Sequence, residues 1–121
     1  MSNEGKISRG WIGVDLDGTL AHYDDNTYDG TFIGAPIPKM LERVKQWVAN
    51  GWEVRIVTAR VAPCHNRDIK VGILNIQGWL ISNGLPPLEV TCTKDHGMIE
   101  LWDDRAVGVI PNTGERADGK V

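Results

Sequence analysis

Asp15 and Asp17 stand one residue apart at the end of the apolar run Ile12-Gly13-Val14, and Gly18 and Thr19 follow at once. The run reads as a buried strand. A strand that stops at two acidic residues sets them at the carboxyl edge of a sheet, where open α/β folds build their sites. Carboxylates this close repel one another unless a cation or a phosphate-binding task brings them together. The plainer reading is an acidic turn after a strand, with Gly18 supplying a permissive backbone angle.

Asp15-x-Asp17-Gly18-Thr19 resembles the first motif of the haloacid dehalogenase (HAD) superfamily of phosphohydrolases. Trp52 to Thr58, with Ala59 and Arg60 after it, looks like the second motif, a strand ending in a hydroxyl residue. Lys94, just past Leu88-Glu89-Val90-Thr91, looks like the third, and Ile99 to Asp104, ending in Asp103-Asp104, like the fourth. Each of the last three is weak alone; their order, each behind a strand, is the stronger signal. The resemblance spans about Gly10 to Ile110. Thr58-Ala59-Arg60 and Asp103-Asp104-Arg105 also look like the phosphatase half of bacteriophage polynucleotide kinases, a narrower similarity resting on two tripeptides.

A phosphate monoester dianion repels nucleophiles, so a site that hydrolyses it must neutralise charge while aligning the attack. The resemblance implies that Asp15 attacks phosphorus and becomes an aspartyl-phosphate, splitting one hard displacement into two easier ones. It implies that Asp17 protonates the leaving oxygen and later activates water. Gly18 and its turn are expected to leave backbone N–H groups for phosphate oxygens. Thr58, with Ala59 beside it, would donate to the phosphoryl group, and Lys94 would supply a compact positive charge. The implied cofactor is Mg²⁺, since the ligands are hard oxygens with no His cluster among them. Asp15, the carbonyl of Asp17 and one of Asp103 and Asp104 are the expected ligands, with Asp104 favoured for direct contact.

Arg60 reads either as a substrate-phosphate clamp or as a solvated loop arginine. Arg105 reads as balancing the charge of its acidic neighbours. Cys64, His65, Cys92 and His96 follow strands two and three, but their spacing matches no standard zinc pattern. His22 and Tyr23 read as ordinary loop residues near the site entrance. The tryptophans at 11, 47, 52, 79 and 102 read as core or interface.

These groups need elements to hold them, and the chain alternates strand and helix. Met40, Leu41, Val44, Trp47 and Val48 mark one face of a helix over Lys39 to Asn50, with Pro38 at its start and Gly51 at its end. Ile69, Ile73, Ile76 and Leu80 mark a second helix from about Asn66 to Ser82, closed by Asn83-Gly84 and Pro86-Pro87. Ala21 to Pro38 reads as a loop or small hairpin. Ala106 to Ile110 follows the fourth strand after three residues, too few for a parallel crossover. It is expected either antiparallel to that strand, the reading preferred, or outside the sheet. The expected fold is α/β: a three-layer Rossmann-like HAD fold with a mostly parallel sheet, helices on both faces and an antiparallel final strand.

At 121 residues one domain is expected, its core over about 10–110 and a flexible tail over 115–121. The net charge of −3 argues against an overall basic nucleic-acid surface. No signal sequence, transmembrane run or disulfide framework is apparent, so a cytoplasmic protein with no membrane association is the default. No segment between the motifs is long enough for a cap domain. A capless, open site suits nucleic-acid ends, nucleotides or phosphoproteins, unless an oligomeric partner covers it. The leading expectation is a magnesium-dependent phosphomonoesterase. A dehalogenase has no need of Asp17, and a receiver domain carries its acidic pair before the phosphorylated Asp. A non-catalytic phospho-acceptor or binding module on the same fold is the alternative.

Overall fold

The computed structural model describes residues 9–63 and 68–120. Four strands, β1 (Trp11–Asp15), β2 (Glu53–Val57), β3 (Glu89–Thr91) and β4 (Met98–Trp102), form one sheet in the order β3-β2-β1-β4. All three pairings are parallel. Helix α1 (Pro38–Ala49) joins β1 to β2, and a 3-10 turn (Ala59–Val61) and helix α2 (Ile69–Ser82) join β2 to β3.

Each element follows from its residues. Pro38 takes the first turn of α1, where its missing N–H costs nothing. Gly51, at φ +85°, ends that helix in the left-handed region glycine adopts freely. The Asp68 carboxylate caps α2 by accepting the Val71 N–H at 3.2 Å. The sequence-based start of α2 near Asn66 falls at residues outside those described.

Ile12 and Val14 of β1 and Val54 and Ile56 of β2 point to the same face and are 3% exposed or less. Met40 and Val44 of α1 and Ile76 and Leu80 of α2 join them in one apolar cluster. Right-handed crossovers explain why both helices share that face: β1 to β2 and β2 to β3 step across the sheet in the same direction. The return step, from β3 to β4, belongs on the opposite face, and there the chain has only residues 92–97. Six residues hold no helix. Among the described residues the two helices thus lie on one face and a short connection crosses the other, in place of the expected helices on both faces.

That second face is held by polar contacts around Trp11. The Trp11 indole N–H donates to Asp95 at 2.8 Å, and the Arg55 guanidinium lies 4.3 Å from the ring centre. Arg55 also pairs with Glu53 at 2.7 Å and Asp95 at 3.4 Å.

The final apolar run is a second correction. Among the described residues no strand pairs with the outer edge of β4. Instead Ile110 donates to Glu115 and Ala117 to Gly108, so 108–110 turns back on 115–117, part of the segment expected to be a flexible tail. The backbone after β4 is tied elsewhere: the Asp104 N–H donates to Thr19 and the Arg105 N–H to Asp103. Ala21 to Pro38 is a loop with a hairpin-like base, where His22 donates to Ala35 and Ile37 to Leu20.

Candidate functional site

The carboxyl ends of β1, β2 and β4 converge on an open cavity of about 590 Å³. Asp15 ends β1, Thr58 follows β2 and Asp103-Asp104 follow β4; all four line this cavity, with Asp17, Ala59 and Arg60 beside them. The sheet brings together residues up to 89 positions apart because β1, β2 and β4 stop nearly in register: Asp15 faces Val57, and Val14 faces Trp102.

Carboxylate oxygens of Asp15, Asp103 and Asp104 lie within 4.8 Å of one another. Burial, a hydrogen bond with Asp104 and the charges of Asp103 and Asp104 push the Asp15 carboxyl up to about 7. Three converging hard oxygen donors with mutual repulsion can hold a metal ion. Among the described residues this is the only such group of three or more. Cys92 and His96 therefore belong to no metal cluster there, and Cys64 and His65 lie outside the described residues.

Gly18 and Thr19 shape the triad. A Cβ on Gly18 would sit 2.6 Å from an Asp104 carboxylate oxygen, and its φ of +88° favours glycine independently. The Thr19 hydroxyl donates to the Asp104 carboxylate at 3.2 Å and accepts the Asp104 N–H at 3.0 Å. The expectation that Gly18 offers its N–H to phosphate is corrected: that N–H donates to the Ala21 carbonyl at 2.8 Å. The N–H groups of Thr19, Leu20 and Ala21 all close onto Leu16. Gly18 thus acts through its missing side chain.

Arg60 fits neither sequence reading. It is 7% exposed, and its Nε and Nη2 donate to the two Asp17 carboxylate oxygens at 2.7 and 2.8 Å. Nη2 also donates to the Phe32 carbonyl at 2.7 Å. The guanidinium is a planar fork matched to a carboxylate, and here it holds Asp17. The Asp17 carboxylate accordingly stands outside the acidic triad. The Thr58 hydroxyl accepts the Arg60 N–H at 3.1 Å, which starts the 3-10 turn and orients the arginine. An accepting hydroxyl still carries its own O–H donor.

Lys94 is not brought to the cavity. It is exposed on the 92–97 connection, whose first residue, Cys92, lines the cavity before the chain leaves for the far edge of the sheet. The cation the fold does bring to the rim is Arg105. Sequence reading also missed Tyr28, which lines the cavity beside Tyr23 with ring centres 5.6 Å apart. No periodicity flags a tyrosine in an irregular loop; only its closeness in sequence to the first motif was a signal.

The tryptophans are structural as expected: Trp47 and Trp102 meet edge to face at 5.2 Å, and Trp79 donates to the Gly34 carbonyl. Among the described residues no helix is long and apolar enough to cross a membrane. The chain matches no family model, no curated protein and no solved structure.

Proposed function

We propose that this protein is a Mg²⁺-dependent phosphomonoester hydrolase working through an aspartyl-phosphate on Asp15, on the HAD-like plan its motifs resemble. The observation that carries the reading is the convergence of Asp15, Asp103 and Asp104 at one sheet edge, with Asp17 and Thr58 in the same cavity. Asp15, Asp103, Asp104 and the carbonyl of Asp17 would hold the ion. When bound, it would neutralise carboxylate and phosphate charge so that an anionic nucleophile can approach a dianion.

The chain's own groups then divide the work. An Asp15 oxygen forms the new bond to phosphorus as the bond to the leaving oxygen breaks. Asp17 delivers the proton that the leaving oxygen needs, then takes one from the water that cleaves the acyl phosphate. Both Asp17 oxygens are held by Arg60, but each keeps a second lone pair for the substrate side. Arg60 is in this reading a positioning residue. The Thr58 O–H is available to a phosphoryl oxygen.

The alternative, a phospho-acceptor or binding module, draws on the distance of Lys94 from the cavity and on the tight Asp17–Arg60 pair. Hydrolysis of p-nitrophenyl phosphate with and without magnesium separates the two. Magnesium-dependent release, lost in Asp15→Asn and reduced about 10²–10⁴-fold in Asp17→Asn, is the expected result. No release from this ester or from any natural phosphomonoester, or a long-lived phosphorylated Asp15, would favour the alternative.

A further inference from the structure

The acidic floor of the cavity accounts for a phosphoryl group, yet much of the wall is something else. Tyr23 and Tyr28 line it together, their rings 5.6 Å apart and tilted by 52°. Tyr28 does not belong to the apolar core: it is 37% exposed, at a position with no packing demand for a large ring. It is nonetheless held in place, because the Arg60 guanidinium lies 4.8 Å from its ring centre. That same guanidinium grips Asp17, so one arginine fixes both the acid and the aromatic wall. Tyr23 donates its hydroxyl to Asp25, which anchors the second ring. Arg105 completes the rim, and its side chain makes no hydrogen bond or ion pair with a described residue.

We infer that this wall binds a nucleobase and that the substrate is a nucleoside monophosphate. The assignment rests on the phosphomonoesterase reading for where the phosphate sits. A flat π-face beside an oxygen-lined floor suits a ligand with a base at one end and a phosphate at the other. The cavity volume of about 590 Å³ is within the range of small-molecule sites. A free mononucleotide is favoured over a strand end by charge. Among the described residues the cations lining the cavity are Arg60, already engaged with Asp17, and Arg105. A single-stranded polynucleotide needs a basic groove along its backbone, and one rim arginine does not make one. Arg105 instead has the reach and donors for a ribose or phosphate oxygen of a single nucleotide.

The test is calorimetric titration of the Asp15→Asn chain, where no turnover consumes the ligand. Adenosine and uridine monophosphates, ribose 5-phosphate, a 3′-mononucleotide and a 3′-phosphorylated tetranucleotide are compared. The expected result is nucleotide binding at least ~5-fold tighter than ribose 5-phosphate, the lower end of what base–aromatic stacking provides. That preference should vanish in Tyr23→Leu/Tyr28→Leu and survive in Tyr28→Phe, which keeps the ring. Equal affinity for ribose 5-phosphate, or a preference indifferent to loss of both rings, overturns the base site. Tighter binding of the tetranucleotide than of the 3′-mononucleotide overturns the choice of a free nucleotide. Hydrolysis by the wild-type chain is scored separately. A chain that prefers nucleotides but hydrolyses nothing sinks the phosphatase reading and leaves the base site standing. One that hydrolyses ribose 5-phosphate and nucleotides alike, with equal affinities, sinks the base site alone.

Discussion

Asp15 sits at the balance point of the site. Its carboxyl is pushed up to about 7 by burial and by Asp104 and Asp103, whereas an unfolded chain titrates it near 4. Between those values the folded, metal-free protein holds a proton that the unfolded chain has released. Stability of that form therefore falls as pH rises from about 4 toward 7 and levels off above it. Asp15→Asn abolishes the dependence, and urea unfolding in EDTA at pH 5, 6, 7 and 8 checks it. Asp17 is governed differently, by the Arg60 fork. Arg60→Lys keeps the charge but not the two parallel bonds. It should lower kcat by about 10²-fold, the lower end of what positioned proton transfer contributes, with KM little changed. A KM effect alone would make Arg60 the substrate clamp that its sequence position suggested. Thermal unfolding of the variant separates lost positioning from lost fold.

The strands bring the chemistry together, and the helices hold the strands. Leu80 of α2 is fully buried with Ile76 against the apolar side of the sheet. Leu80→Ala should cost about 2–5 kcal/mol, read by urea unfolding, because the neighbouring core relaxes only in part around the cavity left behind. On the opposite face, among the described residues, the stabilising element is a connection, not a helix. Arg55 gathers Glu53 and Asp95 over Trp11, and the Gly97 carbonyl accepts the Trp11 N–H at 2.9 Å. Gly10 permits this approach, since a Cβ there would fall 2.3 Å from the Gly97 oxygen. The same shortness removes Lys94 from the site: a six-residue return cannot both linger at the carboxyl edge and reach the start of β4.

Viewed as a whole, the described residues form a parallel sheet with both helices on one face and an acidic carboxyl edge. An ion that binds the folded triad and not the unfolded chain must stabilise the fold by mass action. Free magnesium at about 100 times its dissociation constant should add roughly 2.7 kcal/mol. The thermal midpoint should climb with magnesium in the wild-type chain and stay level in Asp15→Asn and Asp104→Asn. A midpoint indifferent to magnesium would count against the triad as a metal site.

Sequence alone determined the strand-helix alternation, the end of each site strand and the acidic character of the site. Periodicity and chain-breaking residues are local properties: Pro38 and Gly51 bound α1 in the structure as they do in the sequence, and Asp15, Thr58 and Asp103 stand at or just after strand ends. Partners were not legible. That Arg60 holds Asp17, that Thr19 holds Asp104 and that Gly18 spends its N–H on Ala21 depend on which loops meet above the sheet. The side on which each crossover packs also had to come from tertiary structure, as did the fate of Ala106 to Ile110. Its apolar run is what a strand would show, yet residues 108–110 pair back on 115–117 and not on the edge of β4. Spacing along the chain sets what each residue can do; only packing across it decides what each one meets.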